Sequence, residues 1–179
     1  MSQILSDLIE FSKPRKTNLH GHVEIQSLTQ EVLENIKEIT PQKTQFDFET
    51  DGEQIHANID PFKMEQVLKN ILKNAAEAAN ENKNPIVKVS LKKSLHEISL
   101  KIEDNGPGIQ LEDKSRIFEP FFTTKRPGKG TGLGLSVTHG IVAGLGGQIN
   151  TEKSSLGGAS FLITIPTGSD KAKDEFYEQ

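Results

Sequence analysis

The glycines of this sequence are concentrated in one stretch, and that concentration limits the possible folds more than any other feature. Of the 15 glycines, ten lie between Gly106 and Gly147, so close backbone approach is needed mainly there. One cluster is Asp104-Asn-Gly-Pro-Gly108 and the other is Gly130-Thr-Gly-Leu-Gly134. Because the first follows a strand-like run and the second precedes a helix-like run, we interpret the region as a binding site.

The first cluster follows a run with the alternation of a half-buried strand. From His96 to Glu103, the apolar residues Ile98, Leu100 and Ile102 alternate with polar ones, and the strand should end at Asp104 because a Gly-Pro-Gly turn cannot continue a ladder. A carboxylate at such a strand end is suited to accept a hydrogen bond from an amino group of a ligand. The glycines would let a flat ring approach the backbone.

The second cluster leads into an apolar run with helical spacing. That run contains Leu133, Val137, Ile141, Val142 and Leu145. A flexible loop that opens onto a helix N-terminus gathers unpaired N–H groups and a positive dipole end, which favour phosphate. The basic residues 125, 126 and 129 lie just before it. Together the two clusters predict a ligand with an amino-bearing base at one end and phosphates at the other.

Two common nucleotide motifs are excluded. No G-x-x-x-x-G-K-[ST] sequence occurs, and no G-x-G-x-x-G does either, since Leu111, Leu135 and Ile149 are among the residues that stand where its last glycine belongs. Taken singly, either cluster could instead be a glycine-rich surface loop beside a hairpin. The presence of both, each in a fitting context, favours the site.

Length and composition exclude several classes of protein. A length of 179 residues predicts one domain with an appendage, and the 34% hydrophobic content suffices for one core. No apolar run approaches the roughly 18 residues of a membrane span, and the N-terminus lacks a signal-peptide pattern. The absence of cysteine excludes thiol chemistry, and a net charge of -4 argues against nucleic-acid binding.

Hydrophobic periodicity predicts the remaining elements. We expect a helix over residues 2–13 that ends before Pro14, a polar connector, and a short strand containing Val23 and Ile25. Ser27-x-x-Gln30 reads as a capping box opening a helix to Ile39. Further elements are strand-like runs at 45–49 and 54–59 across an Asp-Gly turn, a hairpin over 86–103, a short helix at 111–117, a hairpin of strands 148–151 and 160–165, and a disordered tail at 169–179.

The helix after Asp60-Pro61 carries polar residues of interest. Asp60 is a predicted N-cap, and the helix should run to about Asn80. Asn70 and Asn74 are four residues apart, so they share one face bordering the buried stripe, and Glu77 lies three residues beyond. Their oxygens suit Mg²⁺, which keeps several waters and bridges to substrate phosphates. The alternative is that both asparagines face solvent.

Aromatic and histidine residues give weaker signals. Phe118, Phe121 and Phe122 could anchor a lid, dock a partner or fill the core. His96-Glu97 begins like a zinc-protease motif, but Leu100 occupies the second histidine position. His139 is interpreted as structural.

The motifs, taken in order, resemble a known family. Asn70-Ile-Leu-Lys-Asn74, Asp104-Asn-Gly-Pro-Gly108, Phe118-Glu-Pro-Phe-Phe-Thr-Thr-Lys125 and Gly130-Thr-Gly-Leu-Gly-Leu-Ser136 resemble the N, G1, F and G2 boxes of sensor histidine kinases. These kinases share a superfamily (GHKL) with gyrase and the Hsp90 chaperones. The resemblance implies an α+β fold, a two-layer α/β sandwich of the Bergerat type with a mixed sheet and helices on one face. That fold would bind ATP with Mg²⁺ under a mobile lid over about 119–131.

The resemblance also implies roles for individual residues. Asn74 would be the main Mg²⁺ ligand with Asn70 in support, and Asp104 would accept from the adenine amino group. Gly106 and Gly108 would border the base, and Gly132 and Gly134 would present N–H groups to the phosphates. The full set implied to bind ATP is Asn70, Lys73, Asn74, Glu77, Asp104, Gly106, Gly108, Ile109, Phe118, Thr123, Thr124, Lys125, Arg126, Lys129, Gly130, Thr131, Gly132, Leu133, Gly134 and Leu135.

The implied domain organisation is that of a truncated kinase. Residues 1–14 are similar to the end of the second dimerisation helix in nitrogen-regulator-type kinases, a helical remnant, followed by linker and first strand (15–26), the catalytic domain (27–168) and the tail (169–179). No His-Glu-x-x-x-Pro phosphoacceptor box is present. The expected catalytic residue is therefore absent, and the chain alone should bind ATP but autophosphorylate poorly or not at all.

The expected function is transfer of the ATP γ-phosphate to a histidine of the missing dimerisation domain, and from there to a response regulator aspartate. These two domains are the expected partners, in the cytoplasm, without nucleic acid or membrane contact. Two alternatives stay open: a non-enzymatic nucleotide-binding module, and an ATP-hydrolysing switch of the gyrase or chaperone class with Glu77 as the nearest candidate to activate water.

Overall fold

The computed structural model describes residues 21–40, 43–52, 54–126 and 130–167. Its helices are α1 (Ile25–Ile39), α2 (Pro61–Ala79) and α3 (Gly134–Gly144). Its strands are β1 (Gly21–Glu24), β2 (Gln45–Thr50), β3 (His56–Ile59), β4 (Ile86–Lys93), β5 (Glu97–Asp104), β6 (Gln148–Lys153) and β7 (Ala159–Pro166). Within these residues, none of the helices combines the length and apolar composition that a bilayer crossing requires.

The core lies between one sheet and a layer of helices. The five-stranded sheet has the order β2-β4-β5-β7-β6, with β2 and β4 parallel and the other neighbours antiparallel. Alternate residues of β4, β5 and β7 are buried. Helix α2 packs on β4 and β5 and against α1 and α3. This confirms the predicted α/β sandwich with a mixed sheet and helices on one face. A separate two-stranded sheet of β1 and β3 was not predicted.

Helix α2 forms as its sequence predicts. The Asp60 carboxylate caps it by accepting from the backbone N–H groups of Phe62 and Lys63, and Pro61 occupies the first turn. Apolar residues spaced three and four apart are buried along one side of the helix. The sequence spacing predicts a buried stripe of Val67, Leu68, Ile71, Leu72, Ala75 and Ala78. This was wrong at Ala78, which is half-buried and lines a cavity, because the buried stripe continues through Ala76 and Ala79.

The start of α1 and the partner of β2 differ from the predictions. Helix α1 begins at Ile25, and its cap is the Glu24 carboxylate, which accepts from Gln26 and Ser27 N–H groups. The predicted capping box at Ser27 was wrong because the helix already begins at Ile25, so that Ser27 lies within its first turn. The runs around Asp51-Gly52 do not form a hairpin either, since β2 pairs with β4 and β3 pairs with β1.

The other connections are mostly as predicted. The β4–β5 and β6–β7 hairpins are confirmed. The short helix at 111–117 was wrong: the segment is a series of turns, in which Arg116 N donates to Asp113 O at 2.8 Å. The predictions for 1–14, for the connector up to residue 20, and for the tail 169–179 lie outside the described residues.

Candidate nucleotide-binding site

A cavity of about 490 Å³ opens between α2, the end of β5, the segment after residue 121 and the start of α3. The two glycine clusters lie on its walls, as the sequence predicts, and α2 forms a third side with its polar face. The cavity is therefore assembled from elements that are distant in sequence, and the β5–β7 pairing and the packing of α2 against α3 hold these elements together.

Asp104 lines one end of this cavity and is almost completely buried. Its Oδ1 accepts from the N–H of Gly106 at 2.9 Å and from that of Ala159 at 3.1 Å. Its backbone oxygen accepts from Gly158 N at 3.2 Å. Among the described residues, Oδ2 receives no hydrogen bond. The carboxylate is thus fixed through one oxygen and presents the other as an acceptor.

Burial raises the pKa of the Asp104 carboxyl above its ordinary value, and the backbone N–H groups of Ala159 and Gly106 oppose this shift. A buried carboxylate without a cationic partner gains free energy from any donor that reaches it. An amino group of a ligand at Oδ2 would be such a donor. The site is therefore chemically suited to a base that carries an amino group.

Two glycines allow the backbone to close around Asp104. A Cβ at Gly158 would lie 2.1 Å from Asp104 Oδ1, and a Cβ at Gly106 would lie 2.5 Å from the carbonyl oxygen of Ala78. Both contacts are far below van der Waals distance, and both involve atoms that the fold holds in place. Only glycine fits at either position.

At the other end of the cavity, Asn70 links α2 to the start of α3. Its Nδ2 donates to the Gly134 carbonyl at 3.1 Å and to Thr138 Oγ1 at 3.3 Å, so its Oδ1 stays available as an acceptor. Among the residues that the structure describes, no side chain caps α3, whose N-cap is Leu133. The first-turn N–H groups of a helix have no partner within the helix, so this end of the cavity combines donors with a positive dipole end.

A lysine from the segment after residue 121 reaches across to α2. Lys125 Nζ donates to Asn74 Oδ1 at 3.1 Å and forms an ion pair with Glu77. All three side chains line the cavity, and the ion pair is about two-fifths exposed. The lysine ammonium therefore occupies a position where the Asn74 oxygen binds a cation.

The segment that carries Lys125 is closed at its base by a backbone contact. Phe121 N donates to Gly132 O at 2.9 Å, and a Cβ at Gly132 would lie 2.3 Å from the Phe121 carbonyl carbon. Both residues have φ of 68°, which is unfavourable for Phe121 because it has a side chain. Arg116 lies over the ring of Phe122, 4.6 Å from its centroid.

Most of the residues that the sequence assigned to ATP line this cavity. They are Asn70, Lys73, Asn74, Glu77, Asp104, Gly108, Ile109, Thr123, Thr124, Lys125, Gly130, Thr131, Gly132, Leu133, Gly134 and Leu135. Three others do not line it: Gly106 donates to Asp104, Phe118 packs on the core 5.3 Å from the His139 ring, and Arg126 is exposed. Lys129 lies outside the described residues.

Sequence reasoning missed several lining residues. They are Gln66, Ala78, Pro107, Gln110, Asp113, Ile117, Phe122, Val137, Ala159 and Phe161. Phe122 was singled out only as a lid anchor, a partner contact or core filler. Gln66 could have been found from its position four residues before Asn70, on the same face of α2. Ala159 and Phe161 line the cavity because β7 pairs with β5. The turn glycine Gly158, which contacts Asp104, carried no signal beyond that of a hairpin.

The fold and the cavity define a nucleotide-binding α/β sandwich, and comparisons with known proteins agree. The chain belongs to the family described as histidine kinase-, DNA gyrase B- and HSP90-like ATPases, whose family model matches residues 59–169. Within that family it is the ATP-binding catalytic domain of a two-component sensor histidine kinase, the class to which its relatives belong.

Two relatives come from Escherichia coli (strain K12). The sensor protein RstB is 38% identical over 75% of this chain and 31% of its own length. The signal transduction histidine-protein kinase AtoS is 34% identical over 93% of this chain and 27% of its own length. The chain therefore spans about a third or less of these relatives.

Solved structures agree in fold. The nucleotide-free catalytic domain of histidine kinase ThkA is 34% identical, with a TM-score of 0.74 over 82% of this chain and 97% of that one. ThkA in complex with the response regulator protein TrrA is 30% identical, with a TM-score of 0.75 over 94% of this chain and 47% of that one.

Proposed function

We propose that this cavity binds ATP with the adenine at Asp104 and the phosphates at the start of α3. The observation that carries the proposal is the pairing of a fixed, buried carboxylate at one end with uncapped N–H groups and a lysine at the other. The free Oδ2 of Asp104 would accept from the adenine amino group, and the α3 N–H groups would donate to phosphate oxygens.

The asparagine oxygens fit Mg²⁺ bound to those phosphates. Asn74 Oδ1 already accepts from the ammonium group of Lys125, and Asn70 keeps its oxygen free because its nitrogen is engaged. When bound, the ion would neutralise phosphate charge. We propose Asn74 as its main protein ligand and Asn70 as a supporting one.

We further propose that the parent protein transfers the γ-phosphate to a histidine of a dimerisation domain outside this chain, and that a response regulator aspartate then receives it. The complex of ThkA with TrrA supports the second partner. In this proposal the chain contributes positioning and charge neutralisation, and the nucleophile comes from elsewhere. Because ATP and response regulators are intracellular, the domain would face the cytoplasm.

Calorimetric titration of ADP, with and without Mg²⁺, tests the site. Asp104→Asn keeps the Oδ1 acceptor but replaces Oδ2 with an N–H donor that would face the adenine amino group. We expect about 100-fold weaker ADP binding, since a hydrogen bond to a charged group is lost and two donors are opposed. Asn74→Ala should leave Mg²⁺-free binding intact and remove its enhancement by Mg²⁺. Unchanged affinity in Asp104→Asn would contradict the adenine assignment.

Radiolabelled ATP tests the transfer. We expect no acid-labile phosphate on the chain alone, and acid-labile phosphate on a dimerisation domain with an acceptor histidine once both are joined in one polypeptide. Phosphate release without a labelled protein would instead favour an ATP-hydrolysing switch. Nucleotide binding without either reaction would favour a binding module.

A further inference from the structure

Glu103, the neighbour of Asp104 on β5, is a buried carboxylate that the proposed function does not use. Its side chain is 5% exposed. Successive side chains of a strand point to opposite faces, so Asp104 faces the cavity and Glu103 faces the side of the sheet away from the helices. A buried carboxylate costs free energy unless it is well paired, so its contacts indicate what it holds.

The contacts of Glu103 fix one turn between β6 and β7. Its Oε1 accepts from Ser155 N at 3.0 Å, from Ser155 Oγ at 3.1 Å and from Ser154 Oγ at 3.4 Å, and its Oε2 pairs with Lys101 at 3.1 Å. Burial works to raise the pKa of Glu103, but the bonds from Ser155 and the pair with Lys101 outweigh it and lower the pKa. The carboxylate is therefore the charged anchor of this turn.

The same turn contacts Asp104 at its other end. Within it, Ser154 N donates to Gly158 O at 2.9 Å and Gly157 N donates to Ser154 O at 3.1 Å. The next donors are the N–H groups of Gly158 and Ala159, which reach the backbone oxygen and Oδ1 of Asp104. A single tight turn thus joins the two adjacent carboxylates from opposite faces of the sheet.

We propose that Glu103 is a positioning residue for adenine recognition: it holds the 154–158 turn so that Ala159 N–H fixes Asp104 Oδ1 and directs Oδ2 at the base. Without this anchor the turn can move, and Asp104 then keeps only its local bond from Gly106. The inference rests on the proposed role of Asp104. It predicts that Glu103 affects the choice of base and leaves the phosphate end unaffected.

Comparison of ADP with IDP isolates that effect, because hypoxanthine carries a carbonyl oxygen where adenine carries the amino group. In Mg²⁺-free calorimetry, Glu103→Ala should lower the ratio of ADP to IDP affinity by about tenfold, the equivalent of one hydrogen bond. Glu103→Gln should keep most of the ratio, since an amide oxygen still accepts from Ser155. Ser155→Ala, at an exposed position, should lower the ratio by about two- to threefold even if Glu103→Ala does not fold.

A double variant shows whether Glu103 acts through Asp104. In the Asp104→Asn background, Glu103→Ala should cause no further loss of ADP affinity, because the directed acceptor is already gone. Glu97→Ala, which removes an exposed carboxylate at the other end of β5, is the matched control and should leave the ratio unchanged. An unchanged ratio in both Glu103→Ala and Ser155→Ala, or additive losses in the double variant, would overturn the proposal. Full ADP affinity in Asp104→Asn alone would instead refute the adenine assignment itself.

Discussion

The two ends of the cavity are built in different ways. At the Asp104 end, the contacts are made by backbone N–H groups and glycines at or next to the ends of two sheet strands, β5 and β7, and the carboxylate is almost completely buried. At the Lys125 end, long side chains meet across the opening, and their ion pair is about two-fifths exposed. Backbone groups within a sheet have few alternative positions, whereas an exposed lysine has many.

Because of this difference, we expect the two ends to respond differently to a ligand: the Asp104 end is already in place, and the Lys125 end must rearrange. The Asp104 end has the geometry needed for a base before any ligand arrives, so little ordering cost falls on binding there. At the other end, a ligand must displace a lysine that already occupies the Asn74 oxygen. We therefore expect substitutions at the first end to have large effects and those at the second end to have small ones.

A pair of glycine substitutions gives the largest expected contrast. In Gly158→Ala the new Cβ would lie 2.1 Å from Asp104 Oδ1 and 2.6 Å from Gly106 N, so we expect ADP affinity to fall by more than about 100-fold and the free energy of unfolding by about 1–3 kcal/mol. In Gly130→Ala it would meet Thr123 Oγ1 at 3.0 Å and Lys125 Cδ at 3.2 Å, where side chains can move. We expect ADP affinity in Gly130→Ala to fall by less than about threefold. Calorimetry and thermal unfolding measure both, and equal losses would contradict the contrast.

Acidification should weaken ADP binding in proportion to the protonation of Asp104. The proposed acceptor role of Oδ2 needs the carboxylate, and burial raises the pKa of this group. The ratio of wild-type to Asp104→Asn affinity should therefore fall as pH drops, beginning above the ordinary aspartate range and approaching about tenfold per pH unit below the raised pKa. Taking the ratio cancels the titration of ADP itself. A ratio that stays constant between pH 7 and pH 4 would argue against an ionised acceptor.

The contribution of Asp104 to the free energy of unfolding depends on pH in the opposite direction to its contribution to ADP binding. Because the folded state holds the Asp104 proton more tightly than the unfolded state, the contribution of this group to the free energy of unfolding falls as pH rises from the ordinary aspartate range through the raised pKa. Asp104→Asn should therefore be at least as stable as wild type at neutral pH, which thermal unfolding measures.

The smallest expected effect concerns Lys125. In Lys125→Met the Asn74 oxygen is released, and repulsion between the ammonium and a divalent cation on the same atom is removed. We expect half-maximal enhancement of ADP binding at about two- to threefold less Mg²⁺, with stability changed by less than about 0.5 kcal/mol. Lys73→Met is the matched control, since Lys73 lines the same cavity without a hydrogen bond or ion pair among the described residues. If both variants need the same Mg²⁺ concentration as wild type, Lys125 does not compete for the site.

The sequence predicted structural features that depend on neighbouring residues better than those that depend on residues far apart in the chain. The cap at Asp60, the strand into Asp104 and the helix after the glycines are local and were predicted correctly. The parallel pairing of β2 with β4 was missed because an Asp-Gly turn favours a hairpin and no local pattern shows that β3 pairs elsewhere. Gly158 and Ala159 were missed as site residues for the same reason: they reach Asp104 only through the register of β5 and β7.

The backbone contact of Phe121 with Gly132 closes a ring of chain between these two positions. Ten residues, 122–131, lie between these two positions. A ring fixed at its base can change length without moving α3 or the sheet, and each doubling costs only about 0.6 kcal/mol of closure entropy. Insertions within residues 122–131 should therefore alter this wall of the cavity and leave the sheet and α3 in place.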